Sequence, residues 1–116
     1  MFDPAFYRKL CDFMLQAPCS LESGFRTAEH NRSVGGAARS AHLTGHAADL
    51  ILDTHVNIVS VLHIASDMGF LGLEYNTIDK HLHLDWHPNG RLWRVVIQDG
   101  QPNLPLSDFF AHNPII

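Results

Sequence analysis

A chain of 116 residues, 46% of them hydrophobic and 17% charged, has the length of one folded domain spanning residues 1–116 and a composition that is globular rather than disordered. It can bury a core of its own, so folding requires no disulfide or metal staple. A net charge of −4 with only eight Lys and Arg argues against nucleic acid and anionic membrane as partners, and Arg32 and Arg39 beside a glycine-rich loop make no basic patch.

Asp3-Pro4 predicts a helix start, with Asp at the N-cap and Pro at the first helical position. Phe6, Leu10, Phe13, Met14 and Ala17 follow at helical spacing until Pro18 ends the run. Ser20 to Ser23 reads as a short strand, and Thr27 as the cap of a helical turn through Asn31. Gly35-Gly36-Ala37-Ala38 is a loop, accompanied by neither a Walker lysine nor GxGxxG spacing. Ala47 to Leu52 reads as a buried strand. Asp53 or Thr54 is expected to cap a second helix, with Ile58, Val59, Leu62, Ala65 and Met68 on its apolar face and Gly69 at its C′ position. Phe70 to Leu73 is a further strand candidate. Residues 81–86, HLHLDW, alternate: Leu82, Leu84 and Trp86 fall on one face, His81, His83 and Asp85 on the other. His87-Pro88-Asn89-Gly90 is a hairpin signal that predicts Arg91 to Gln98 as the partner strand. The proline-containing tail from Pro102 is expected as a loop with a short turn near Phe109. The expected architecture is α+β, two helices packed on one antiparallel sheet.

Cys11 and Cys19 lie eight residues apart, and idle thiols are the expectation; without a CxxC pair, a cysteine metal site has no support. The opening MFDPAFYRKL lacks a basic start followed by an apolar run, so no signal peptide is expected. No apolar stretch approaches the ~20 residues that span a bilayer, so the chain is expected to be soluble, made in the cytoplasm and not inserted in a membrane.

Nine histidines in 116 residues is a high count, and histidine is the commonest metal ligand. Three groups stand out: His42 with Asp49, the HLHLD strand, and Arg26. His42 precedes the strand that carries Asp49, and a bend at Gly45 would bring their side chains to a common point. His83 would join them from the neighbouring hairpin. His and Asp are both good zinc ligands, and a catalytic zinc takes three protein ligands with a fourth position open. Each motif alone has an ordinary explanation, a chance His-x6-Asp spacing or a wet strand face; the conjunction is the signal. His46 follows His42 by four residues, but Thr44-Gly45 is poor helix, so an HxxxH pair is not expected. His30, His55, His63, His87 and His112 read as surface or loop residues, with a satisfied core histidine as the alternative for His63 on the second helix. Trp86 and Trp93 are expected to serve the core before any groove.

The stretch SGFRTAEHNRSVGGAARSAHLTGHAADL, residues 23–50, resembles the zinc D-Ala-D-Ala metallopeptidase family. That family's pattern is SGxR, then SxHxxGxAxD, then a strand with HxH or HxD. Here it reads Ser23-Gly24-Phe25-Arg26, then Ser40, His42, Gly45, Ala47 and Asp49, then His81-Leu82-His83-Leu84-Asp85, in that order over roughly residues 20–86. The resemblance implies Zn2+ held by His42, Asp49 and His83 at the sheet edge or in a cleft. It implies Arg26 gripping a substrate carboxylate, which its planar fork suits, and Ser40 bonding substrate or steadying the metal loop. His81 would stand beside the attacking water. The implied activity is hydrolysis of peptidoglycan stem or cross-link peptides, as a carboxypeptidase or endopeptidase. The site of action would be the cell wall, from the periplasm or as a phage lysis enzyme.

Several branches of the family place an acid three positions before the last histidine, where this chain has Lys80. Asp79 and Glu74 are the remaining upstream acids. The sequence reading favours Asp79 with His81 as the proton-handling pair, and leaves Asp85 as a candidate for orienting a ligand imidazole. Two other classes stand beside the enzyme. One is a zinc-binding domain that recognises cell-wall peptides or a protein partner without cleaving, as the related signalling domain of hedgehog proteins is described. The other is a metal-free structural module.

Overall fold

A computed structural model describes residues 1–24, 27–34, 41–86 and 93–113. Helix α1 (Pro4–Gln16) begins where predicted: the Asp3 carboxylate accepts the Phe6 N–H at 3.0 Å and Pro4 opens the first turn. It buries Phe6, Leu10 and Phe13, and ends at Ala17 just before Pro18. Strand β1 (Cys19–Ser23) leads to α2 (Ala28–Ser33), whose N-cap Thr27 accepts the His30 N–H at 3.1 Å. A 3-10 turn (Ala41–Thr44) then runs into β2 (Ala47–Leu52).

Helix α3 (Ile58–Asp67) starts later than the sequence predicts. Its cap is Asn57, which accepts the Ser60 N–H at 3.2 Å, because Asp53 is spent on a turn in which its carbonyl accepts the Val56 N–H. Gly69, at φ +82°, ends it as expected. Strands β3 (Gly72–Asn76), β4 (His81–Asp85), β5 (Trp93–Ile97) and β6 (Leu104–Pro105) follow. The tail is more ordered than expected: α4 (Leu106–His112) tucks Leu106 and Phe109 into the core.

The class is α+β, built on a six-stranded sheet in the order β1-β2-β4-β3-β5-β6. Two expectations need correction. The sheet is mixed, because β5 runs parallel to β3, and β5 is not the hairpin partner of β4. Both edges of β4 are taken, one by β2 and the other by β3 through the Thr77–Lys80 turn. A chain that reverses after β4 must run antiparallel to it, hence parallel to β3, and β3 offers the open edge. The helix count also differs, with α2 and α4 added to the expected two among the described residues.

Alternation gives the sheet two unlike faces. Ala48, Leu50 and Leu52 of β2, Leu82 and Leu84 of β4, Leu73 and Tyr75 of β3 and Val96 of β5 pack into one core with Phe6, Phe13, Leu62 and Phe70. Burying each such large side chain stabilises the fold by about 1.5–3 kcal/mol relative to exposure. The opposite face carries Asp49, His81, His83 and Asp85. As predicted, Leu82 and Leu84 are in the core and Trp86 packs against it. His63 stacks on Phe110 with ring centroids 3.6 Å apart, and Cys11 and Cys19 are unbridged.

Candidate metal centre

Two of the three proposed ligands are set by backbone pairing. Asp49 and His83 are direct partners across the β2–β4 ladder, so their side chains leave the same face at one level. His83 Nδ1 lies 2.9 Å from Asp49 Oδ1. The third, His42, comes from the 3-10 turn before β2, and its Nε2 stands 3.1 Å from Asp49 Oδ2. One ligand atom from each of the three lies within 4.8 Å of the others. His42 and Asp49 are buried and His83 nearly so.

The arm that carries His42 is held by close approach of backbone to backbone. Gly45 has φ +74°, and a Cβ there would stand 2.3 Å from Met1 O and 2.7 Å from Asp3 N. The Asp3 N–H donates to Gly45 O at 3.0 Å, tying the start of α1 to the turn. On the other side, the Gly24 carbonyl accepts from His42 Nδ1 at 2.6 Å, which puts a proton on Nδ1 and turns Nε2 toward Asp49. Gly24 is crowded as well, since a Cβ would stand 2.2 Å from the Phe2 ring and that ring would have to shift. The glycines of the SGxR and SxHxxGxAxD motifs thus have packing reasons.

Charge is concentrated at this point. Burial opposes ionisation of Asp49, but hydrogen bonds and attraction from His42 and His83 outweigh it and hold the carboxyl well below the usual range. Burial likewise opposes a charged His83, yet hydrogen bonds to Asp49 and Asp85 raise its pKa to about 9. Two carboxylates face that ring, Asp49 at Nδ1 and Asp85 at Nε2, each at 2.9 Å. Such a site demands positive charge. Two imidazole nitrogens and a carboxylate oxygen converging from three sides, each imidazole oriented by a hydrogen bond on its far nitrogen, fit Zn2+.

The remaining sequence-predicted residues divide. His81 Nε2 lies 3.3 Å from Asp49 Oδ1, so it stands beside the triad. Asp79 lines the adjacent cleft, but its Oδ1 accepts the His81 N–H at 3.1 Å and caps the turn into β4. Glu74 is the direct ladder partner of His83 on β3, which places it on the same face. His46 lies apart, bonded to Thr44 Oγ1 at 2.8 Å and 3.6 Å from Asp3. Arg26, Ser40, the Gly35–Ala38 loop and the His87–Gly90 turn lie outside the described residues, as does the Trp93 side chain.

A cleft of about 580 Å³ opens beside the triad, lined by Glu22, Ser23, His30, Val34, Asp49, Ile51, Asp79 and His81. Two of these are newcomers. His30, read from sequence as a surface residue, borders the cleft while remaining exposed. Glu22 comes within 3.7 Å of His81 Nε2. It is the extra residue where β1 slips against β2, between Leu21 opposite Leu50 and Ser23 opposite Asp49. A bulge of this kind re-aims a side chain, and no residue type in LESG announces it.

The sequence matches the peptidase M15 family over residues 9–85, a span that includes the triad, His81 and Asp85. A zinc D-Ala-D-Ala carboxypeptidase of Streptomyces albus G is 35% identical over 79 residues, which cover 66% of this chain and 30% of that protein. The matched stretch is therefore less than a third of that relative's length.

Proposed function

This chain belongs to the peptidase M15 family, and on that premise we propose that it is a zinc-dependent peptidase hydrolysing peptidoglycan stem or cross-link peptides of the D-Ala-D-Ala type. The observation that carries the reading is the convergence of His42, Asp49 and His83, with Asp49 and the neighbouring His81 on the wall of a cleft of about 580 Å³. His42 through Nε2, Asp49 through its carboxylate and His83 through Nδ1 would hold the ion. A bound zinc ion supplies Lewis acidity, polarising a carbonyl and lowering the pKa of water.

The chain's own groups supply the rest. His81, at the cleft wall beside Asp49, would donate a hydrogen bond to charge developing on the scissile carbonyl. A carboxylate must take the proton of the attacking water and return it to the leaving amine. Asp79 and Glu22 both border the cleft. Asp79 remains our assignment for this base, and Glu22, reaching His81 from β1, is its competitor. Arg26 is proposed to hold the substrate carboxylate by a bidentate pair, with Ser40 assisting.

The test is digestion of purified peptidoglycan, with the fragments read by mass spectrometry. Cleavage should vanish with a chelator and return with zinc. Release of single D-alanine identifies a carboxypeptidase, and release of longer peptides an endopeptidase. Asp79→Asn should cut turnover by ~10²–10⁴ while zinc content holds. The same loss in Glu22→Gln with Asp79→Asn fully active reassigns the base. A protein that binds one zinc and cleaves no cell-wall peptide is a binding domain.

A further inference from the structure

We propose that Asp85 and Gly72 form a positioning unit behind the metal centre: Asp85 fixes His83 with Nδ1 facing the ion, and Gly72 exists to make room for that carboxylate. The inference rests on the zinc reading above.

His83 offers two nitrogens, and either can bind a metal. Here Nε2 is 2.9 Å from Asp85 Oδ2, and Nδ1 faces Asp49. A carboxylate at Nε2 accepts a hydrogen bond and keeps the proton on that nitrogen, so a bound ion would take Nδ1. Asp85 is only 5% exposed, and among the described residues its Oδ1 has no hydrogen-bond partner. A buried carboxylate with a vacant oxygen is costly for folding. Among the described residues its side-chain bond is to a proposed ligand, which points to a use in the site.

The neighbours of Asp85 are small on both sides. The ladders pair it with Ala47 on β2 and Gly72 on β3. A Cβ at Gly72 would stand 2.3 Å from both carboxylate oxygens. Gly72 has no positive φ, so backbone conformation does not require glycine there. Glycine inside a strand weakens it and marks close approach by another group. The group is Asp85.

The experiment is a double-mutant cycle on zinc affinity, measured by chelator competition, with imidazole nitrogen NMR of the zinc-loaded protein. Asp85→Asn and Asp85→Ala should each weaken zinc binding by roughly 10–100-fold. Gly72→Ala should weaken it comparably, because the methyl pushes the carboxylate off Nε2. Adding Gly72→Ala to Asp85→Ala should then change affinity by less than about twofold, since the collision partner is gone. In the zinc-loaded parent, His83 should show a protonated Nε2 and a metal-shifted Nδ1. If Gly72→Ala alone fails to fold, Asp85→Ala should restore folding to it. Parent-like affinity in Asp85→Ala, additive losses in the double variant, or metal on Nε2 each overturns the proposal. A parent that binds no zinc overturns the functional reading first, whereas a parent that binds zinc as tightly as its variants overturns this inference alone.

Discussion

The metal centre is assembled by two regions that solve the same problem differently. The β2–β4 floor delivers Asp49 and His83 as a cross-strand pair, held by ladder hydrogen bonds and by Leu50, Leu82 and Leu84 on the reverse face. The arm delivers His42 on a 3-10 turn that belongs to no ladder. What holds the arm is its neighbours: the Gly24 carbonyl behind the imidazole, and the first three residues of the chain against Gly45. Floor ligands should therefore resist changes elsewhere in the chain, Asp85 and Gly72 behind His83 excepted. The arm ligand should respond to changes at residues that never touch the metal.

The largest effect belongs to the floor. His83→Ala removes a ligand whose backbone cannot shift to compensate, and should leave no stoichiometric zinc after purification without chelator. It also leaves Asp49 and Asp85 without the imidazole that both carboxylates face, so the zinc-free variant should unfold at lower temperature than the parent. Metal analysis and a thermal scan together check this. Near one equivalent of zinc retained in His83→Ala would show that the floor is not the anchor.

Next comes the arm's hinge. Gly45→Ala forces a side chain into φ +74° and against backbone atoms of Met1 and Asp3, which flexible side chains cannot relieve. Strained positions of this kind cost about 1–3 kcal/mol. We expect a lower unfolding midpoint, and zinc affinity weakened by about tenfold as His42 loses its place. If affinity matches the parent, the turn does not set His42. Phe2→Ala is a gentler version: it removes the ring packed over Gly24, the residue whose carbonyl orients His42. It should weaken zinc binding by a few-fold in competition with a chelator, and by less than Gly45→Ala. A larger loss than at Gly45 would reverse the ranking.

The floor was legible in the sequence and the arm only in part, for physical reasons. Period-two alternation in HLHLDW forces His83 and Asp85 onto one face, and β2 is short and apolar enough to identify on sight. Their pairing follows once the two strands are neighbours. The partner of β4 was not legible: Asn89-Gly90 signals reversal, and reversal fixes direction without fixing which open edge the returning strand takes. The motif glycines Gly24 and Gly45 could be matched but not explained, and Gly72 matched no motif, because the atoms that crowd the three come from Phe2, Met1 and Asp85, distant in sequence. Glu22 was invisible for a similar reason. A bulge is a property of two paired strands, and LESG shows only one of them.

The smallest effect sharpens the contrast between two histidines four residues apart. His46 follows the same turn as His42 and has the same intrinsic chemistry. Its ring, however, bonds Thr44 at 2.8 Å and stands 3.6 Å from Asp3, the cap of α1, whereas His42 Nε2 stands 3.1 Å from Asp49. Its backbone carbonyl, which accepts the Trp86 N–H at 2.8 Å, survives any side-chain change. His46→Ala should therefore keep zinc affinity within about twofold of the parent. It should lower stability by no more than about 1 kcal/mol, the range of a partly exposed ion pair and one side-chain hydrogen bond. Both are read from the same chelator competition and thermal scan used for His83→Ala. A loss of zinc in His46→Ala equal to that in His83→Ala would mean that the arm presents the wrong histidine in this structure, and that Gly45 turns the other ring toward Asp49.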